Sequence, residues 1–255
     1  MYYFLSDAHL GSHVVTDDVR AHEQKIVDWL NMVRRDATAI FLLGDIFDFW
    51  FEYPRVVPKG FTLLLGTLRS ICQEGIPVHF FTGNHDVWTF GYLEQEVGLI
   101  VHREPQIFTI EGKQFFLAHG DGLGDDDRGF KFIRWIFHNR ACQWAFAHLV
   151  PTTWGMAFGQ RWSEGRRRKH IQYLPKYRGE KREPLVIFAK QYAQQHPEID
   201  YFVFGHRHIE LNLMLNSGSQ MLIIGDFMRQ FTYATFDGEQ ISLENFIDDT
   251  PADNQ

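Results

Sequence analysis

Ala39-Ile40-Phe41-Leu42-Leu43-Gly44-Asp45-Ile46-Phe47-Asp48 decides how this chain folds. Five apolar residues in a row are too few for a buried helix and right for a strand covered on both faces. The run stops at Gly44-Asp45, so it delivers an acid to a turn at the strand end. The same grammar recurs four times. Tyr2–Leu5 runs into Ser6-Asp7-Ala8-His9, Val78–Phe81 into Gly83-Asn84-His85-Asp86, Phe115–Ala118 into His119-Gly120-Asp121, and Tyr201–Phe204 into Gly205-His206-Arg207-His208. Polar residues at the ends of buried strands are where sheet proteins keep their chemistry.

Seven of these residues, Asp7, His9, Asp45, Asn84, His119, His206 and His208, offer oxygen or imidazole nitrogen and no thiolate. That donor set is the right size for two divalent metal ions about 3.5–4 Å apart. It suits Mn²⁺, Fe²⁺, Ni²⁺ or Zn²⁺ without choosing among them. Asp45 is the natural bridge, because one carboxylate can bond two cations. Asp7, His9 and His208 then serve one ion, and Asn84, His119 and His206 the other. Phosphorus is the electrophile that such a pair suits.

Helical spacing separates the early strands. Ile26, Trp29, Leu30 and Val33 share one face of Ala21–Arg35, and Leu64, Leu68 and Ile71 one face of Gly60–Glu74, which Gly75 ends. Phe90–Glu96 is a shorter helical candidate. The βαβ alternation predicts an α/β (α+β) fold with a mixed or parallel sheet. From Gly124 the strand signals vanish. Phe130–Ala147 reads as a helix rich in large apolar residues, Pro151 breaks it, and Thr153–Trp162 resumes. A basic run, Arg166-Arg167-Arg168-Lys169, follows. Strand and helix alternate again from Leu185, with a helix over Leu185–Gln195 and strands at Leu211–Leu215, Gln220–Ile224 and Thr232–Phe236. Residues 1–124 and 185–255 thus form the expected core, and 125–184 an inserted helical cap. Met221–Ile224 followed by Gly225-Asp226 mimics the ligand grammar, but no His or second acid follows, so it reads as an ordinary strand end. The acidic tail Asp248–Gln255 is expected to fray.

In order, D-x-H, GD-x-x-D, GNH-D, H and G-H-x-H resemble the calcineurin-like metallophosphoesterases, with no element missing between residues 7 and 208. The resemblance implies a β-sandwich flanked by helices. It also makes His85 a catalytic contact to phosphate or the leaving oxygen, oriented by Asp48.

The chain has 255 residues, 45% of them hydrophobic, and a net charge of −7. That length allows one large domain or a domain with an insertion. The acidic balance argues against nucleic acid as a partner. No apolar stretch reaches the 18 residues of a membrane span, and Asp7 and His9 interrupt any signal-peptide core. Two cysteines, Cys72 and Cys142, are too few for a disulfide framework, so a cytoplasmic protein with reduced thiols is expected.

A second resemblance is narrower. Gly44-Asp45-Ile46-Phe47-Asp48-Phe49-Trp50 and His119-Gly120-Asp121-Gly122-Leu123-Gly124-Asp125-Asp126-Asp127, followed by Phe130 and Arg134, are similar to the UDP-2,3-diacylglucosamine pyrophosphatases. The resemblance implies Mn²⁺ and cleavage of a UDP-linked acylated glucosamine to UMP and a lipid monophosphate in lipid A synthesis. It also implies peripheral attachment to the inner-membrane surface of a Gram-negative bacterium. Substrate contacts carried over are Asp127, Phe130, Arg134, Arg161, Ser163 and Lys169. The chain departs from that pattern twice, with His85 where the family has Arg and Phe130 where it has Tyr. The alternative is a phosphoesterase for a soluble phosphoester or nucleotide. The two differ in the cap. An acyl substrate needs an apolar groove beside Trp135, Trp144, Trp154 and Trp162, whereas a soluble one leaves these residues as buried packing.

Overall fold

Alternation along the first strand, β1 (Tyr2–Leu5), sends Phe4 to one side and Tyr3 and Leu5 to the other, and all three are buried. Two layers must therefore cover it. The structure, a computed structural model, describes residues 1–14, 16, 18–124, 128–172, 175–215 and 218–246. After β1 come α1 (Val19–Val33), β2 (Ala39–Leu43), α2 (Thr62–Gln73), β3 (Val78–Phe81), β4 (Ile100–His102), β5 (Gln106–Ile110) and β6 (Lys113–Ala118). Three helices follow, α3 (Arg128–His138), α4 (Arg140–Leu149) and α5 (Thr152–Gln172). The chain then closes with α6 (Pro184–Gln195), β7 (Tyr201–Phe204), β8 (Glu210–Met214), β9 (Gln220–Ile224), β10 (Thr232–Phe236) and β11 (Ile241–Asn245). Leu93–Val97 forms one π-helical turn, ended by Gly98, where a short helix was expected.

The strands make two mixed sheets, ordered β11-β10-β1-β2-β3-β4 and β5-β6-β7-β9-β8. In the first, β1 to β4 run parallel, and in the second β6, β7 and β9 do. Phe4, Phe41, Leu43 and Phe81 meet Phe115, Leu117, Val203 and Leu222 between the sheets. Outside the first sheet, Leu5, Leu42 and Phe80 pack on Ile26 and Leu30 of α1 and Leu64 and Leu68 of α2. Outside the second, Phe202, Phe204 and Ile223 pack on Leu185, Val186 and Ala189 of α6. The result is an α/β sandwich with helices on both faces. Both parallel blocks present their strand ends to the same edge, as the strand-end positions of the polar motifs require.

The long helix expected over Phe130–Ala147 is two. Asn139 interrupts it, and its side-chain oxygen accepts hydrogen bonds from the Ala141 and Cys142 amides at 3.0 and 3.1 Å. Such a cap satisfies amides that a continuing helix would have bonded internally. α5 runs ten residues beyond Trp162, through the basic run, to Gln172. Its inner face is made of small residues. A β-carbon on Gly155 would strike the Tyr53 hydroxyl, and one on Gly159 the Phe49 ring. Phe137, Phe146 and Met156 pack beside this seam on Phe49, Phe51, Tyr53 and Trp88. The outer face is apolar too: Trp135 and Trp144 are 59% exposed, Phe132 60%, Leu149 72% and Trp154 73%.

Candidate metal centre

Five of the seven expected ligands have left-handed backbone: Asp7 (φ 56°), His9 (46°), Asp45 (53°), His206 (67°) and His208 (49°). Non-glycine residues adopt this region at a cost of about 1–3 kcal/mol each. Strain concentrated at five strand-end polar residues is paired with a dense set of restraints. The Asp7 amide donates to the Gly44 carbonyl at 3.1 Å and the His9 amide to the Asp45 carbonyl at 2.9 Å, locking the first two loops together. The Gly205 amide donates to the His119 carbonyl at 3.0 Å and does the same in the second sheet. Gly83 has to be glycine, since a β-carbon there would strike the Asp45 carboxylate.

The side chains converge. Asp45 Oδ2 lies 3.7 Å from His9 Nε2 and 3.3 Å from His119 Nε2, so one oxygen faces both halves of the site. Its other oxygen accepts the His85 amide at 2.8 Å. Asp7 divides likewise. Oδ2 accepts from the Ser6 hydroxyl at 2.5 Å and the His206 amide at 2.8 Å, leaving Oδ1 3.6 Å from His9 Nε2 and 3.5 Å from His208 Nε2. On the far side, His206 Nδ1 lies 3.3 Å from His119 Nε2. His119 Nδ1 donates to the Leu43 carbonyl at 2.8 Å, which fixes the tautomer and aims Nε2 inward. The donor atoms gather in three groups, Asp7/His9/His208, His9/Asp45/His85 and Asp45/His119/His206.

These residues fit divalent cations. Asp7 Oδ1 and Asn84 Oδ1 are buried oxygens with no hydrogen bond, an arrangement costly unless a cation takes the lone pairs. Burial pushes Asp45 up, but the imidazoles of His119 and His85 outweigh it and hold the carboxyl well below its ordinary range. Burial disfavours protonation of His119, yet the Asp45 charge raises it well above the usual histidine value. Burial and His119 push His206 down to about 3, and burial raises Asp7 against the pull of His208 and His119.

Two acids that the sequence shows at strand ends, without a role, prove to be part of the site. Asp86 accepts the Gly83 amide at 2.7 Å and the Ile46 amide at 2.8 Å, tying the third motif to the second. Burial and the Asp45 charge raise its pKa to about 7. Asp226, an ordinary strand end by its sequence, has Oδ2 3.7 Å from His208 Nδ1 and Oδ1 accepting three amides, the closest being Arg229 at 2.8 Å. It faces one ligand histidine from behind at ion-pair distance, where the Leu43 carbonyl hydrogen-bonds another.

His85 and Asp48 meet differently from the expected carboxylate–imidazole pair. The Asp48 backbone carbonyl, not its carboxylate, lies 2.8 Å from His85 Nδ1, and the carboxylate lies 3.7 Å from His9 Nδ1. Of the carried-over substrate contacts, Ser163 reaches the site, 3.2 Å from His85 Nδ1. Arg161 is exposed on α5, beside a 430 Å³ cleft with Trp154 and Trp162. Asp127 lies outside the described residues, as do the side chains of Phe130, Arg134 and Lys169. Between cap and core, Phe49, Trp88, Phe137, Phe146 and Trp162 enclose an apolar cavity of about 110 Å³.

The calcineurin-like phosphoesterase family model matches residues 2–210. A UDP-2,3-diacylglucosamine hydrolase from Porphyromonas gingivalis is 39% identical over 256 residues, covering 96% of this chain and 97% of that protein. Another from Nitrosococcus oceani is 28% identical, covering 68% of this chain and 66% of its own. Among solved structures, a dimetal phosphatase from Danio rerio is 14% identical, covers 95% of this chain and 94% of its own, and has a TM-score of 0.47. The chain belongs to the calcineurin-like phosphoesterase family.

Proposed function

We propose that this calcineurin-like phosphoesterase hydrolyses the pyrophosphate of UDP-2,3-diacylglucosamine, giving UMP and 2,3-diacylglucosamine 1-phosphate, with two divalent ions, Mn²⁺ by preference. The observation that carries the reading is the convergence of the donor atoms of Asp7, His9, Asp45, His119, His206 and His208 on one buried site. The substrate rests on the likeness to the Porphyromonas gingivalis hydrolase, which spans nearly the whole of both chains.

Asp7, His9 and His208 would hold one ion, Asn84, His119 and His206 the other, and Asp45 both. The chemistry two such ions supply is polarisation of phosphoryl oxygens and acidification of water towards neutral pH. The chain does the rest. Asp86 and the interlocked loops keep the ligands in place before substrate arrives, so little reorganisation accompanies reaction. The Asp48 carbonyl can only accept, so His85 Nδ1 must carry a proton there. That leaves Nε2 to donate to a phosphoryl or leaving oxygen.

The cap, residues 125–184, is proposed to cover the lipid half and to rest on the inner-membrane surface. Trp135, Trp144 and Trp154 support this, because they face outward. Aromatics exposed in this way suit a membrane interface. A soluble-substrate reading would have them packed inside. No helix among the described residues is long and apolar enough to cross a membrane, so attachment would be peripheral.

The test is UMP release from UDP-2,3-diacylglucosamine by purified protein with Mn²⁺ in mild detergent. Turnover is expected. No UMP, alongside hydrolysis of an aryl phosphate diester, would keep the metal centre and reject the substrate.

A further inference from the structure

Among the described side chains of α3, α4 and α5, one polar group is fully buried, and it is Ser163. A buried hydroxyl is retained where it has a partner. Its partner is His85: Ser163 Oγ lies 3.2 Å from Nδ1, the same nitrogen that lies 2.8 Å from the Asp48 carbonyl. Since the carbonyl accepts only, Nδ1 is the donor to both oxygens, and the hydrogen is shared between them. The two acceptors come from different parts of the molecule, Asp48 from the loop after β2 and Ser163 from α5.

Ser163 also completes a pattern. Gly155, Gly159 and Ser163 recur every four residues, so they share one stripe of α5. The two glycines let the helix backbone close on Tyr53 and Phe49. The same approach brings Ser163 to His85, and the neighbouring Trp162 ring to 5.9 Å from the imidazole. Seating the cap and fixing the His85 ring are therefore one event.

We propose that Ser163 is a positioning residue, and that through it the docked cap holds His85 in its reactive tautomer and orientation. The inference rests on the reading of His85 as the group that acts on the phosphoryl oxygens.

The test uses the full chain with Ser163→Ala, Ser163→Thr, His85→Ala and the Ser163→Ala/His85→Ala double variant. Ser163→Ala is expected to lower kcat about 3–10-fold, the size of one lost hydrogen bond. The loss should be equal on UDP-2,3-diacylglucosamine and on an aryl phosphate diester too small to touch the cap, with KM for the lipid and bound Mn²⁺ unchanged. Ser163→Thr should recover most of the rate, and Ser163→Ala should cost nothing further once His85 is Ala. A raised KM for the lipid with an unchanged rate on the diester would make Ser163 a substrate contact and overturn the proposal. Nitrogen-15 NMR of the metal-free protein gives an answer independent of turnover. The His85 Nδ1–H signal is expected to shift in Ser163→Ala, and an unmoved signal rejects the proposal even if the lipid proves not to be the substrate.

Discussion

The ligand loops and the cap helices are held by opposite means. Five loop residues carry left-handed backbone, and amide after amide is tied to an acid or a carbonyl. The geometry is over-determined, so it can store strain. The cap is seated on one seam of small residues and a cluster of rings, with large apolar side chains turned outward. Rigid loops suit a centre whose ligands must stay fixed, and a lightly seated cap with an apolar exterior suits a substrate that arrives from a lipid phase. If the division is real, damage to the loops should abolish chemistry, and damage to the outer cap should spare it.

The largest effect is expected from Asp45→Ala. It removes the one oxygen that faces both His9 Nε2 and His119 Nε2. A lost bridging ligand withdraws several kcal/mol of charge stabilisation, about 10³-fold or more in kcat. Metal analysis should find fewer than two ions per chain, at any Mn²⁺ concentration that the wild type needs. Near-normal turnover with saturating Mn²⁺ would remove Asp45 from the bridge and make the loops less decisive than they look.

The cap gives the next effect. Trp135→Ser, Trp144→Ser and Trp154→Ser together should lower partitioning onto anionic vesicles by about 10²-fold. That counts on the order of 1 kcal/mol for each half-exposed ring that would enter the interface. Hydrolysis of an aryl phosphate diester in solution should stay within about two-fold of wild type. Unchanged vesicle binding would leave the exposed rings with no membrane role, and a large loss of diesterase activity would show that the outer face is not separate from the chemistry.

The same division explains what the sequence discloses. Strand ends are legible because covered strands need unbroken apolar runs and ligands need particular atoms. The runs Tyr2–Leu5, Ala39–Leu43, Val78–Phe81 and Tyr201–Phe204 are the strands β1, β2, β3 and β7 to the residue. β4, β5 and β11 are not, since edge strands with exposed or half-exposed residues such as Gln106, Thr109 and Glu244 carry no such run. The break at Asn139 has a visible capping residue, but the apolar pattern continues straight through it. Backbone contacts leave no trace in residue identity, so the sequence points to the Asp48 carboxylate as the partner of His85, and the structure puts the Asp48 carbonyl there. Asp226 is hidden for another reason. Its role depends on β9 lying beside β7, a pairing that residues 16 positions downstream of Phe204 do not announce.

The smallest effect concerns a histidine pair on β3 and β4, just behind the third ligand loop, whose Thr82 amide donates to the His102 carbonyl, and it tests whether the strands have a pH dependence of their own. His79 on β3 and His102 on β4 stack at 5.2 Å, and His79 Nδ1 lies 2.9 Å from His102 Nε2. Phe41 stacks on His79 at 4.7 Å. Burial, reinforced by His102, pushes His79 down from the usual 6.5 to about 4. Between those values the unfolded chain binds a proton that the folded chain refuses. The contribution to stability is therefore full above about pH 6.5 and lost as pH falls towards 4. His79→Phe keeps the ring stack and removes the titration. Between pH 7 and 5 the wild type should lose about 1 kcal/mol more than the variant, a figure already reduced for the half-exposed position of the ring. Paired urea unfolding curves at matched Mn²⁺ measure the difference directly. Parallel curves would mean that the pH dependence of this fold resides in the ligand loops, and that the sandwich beneath them is indifferent to protons.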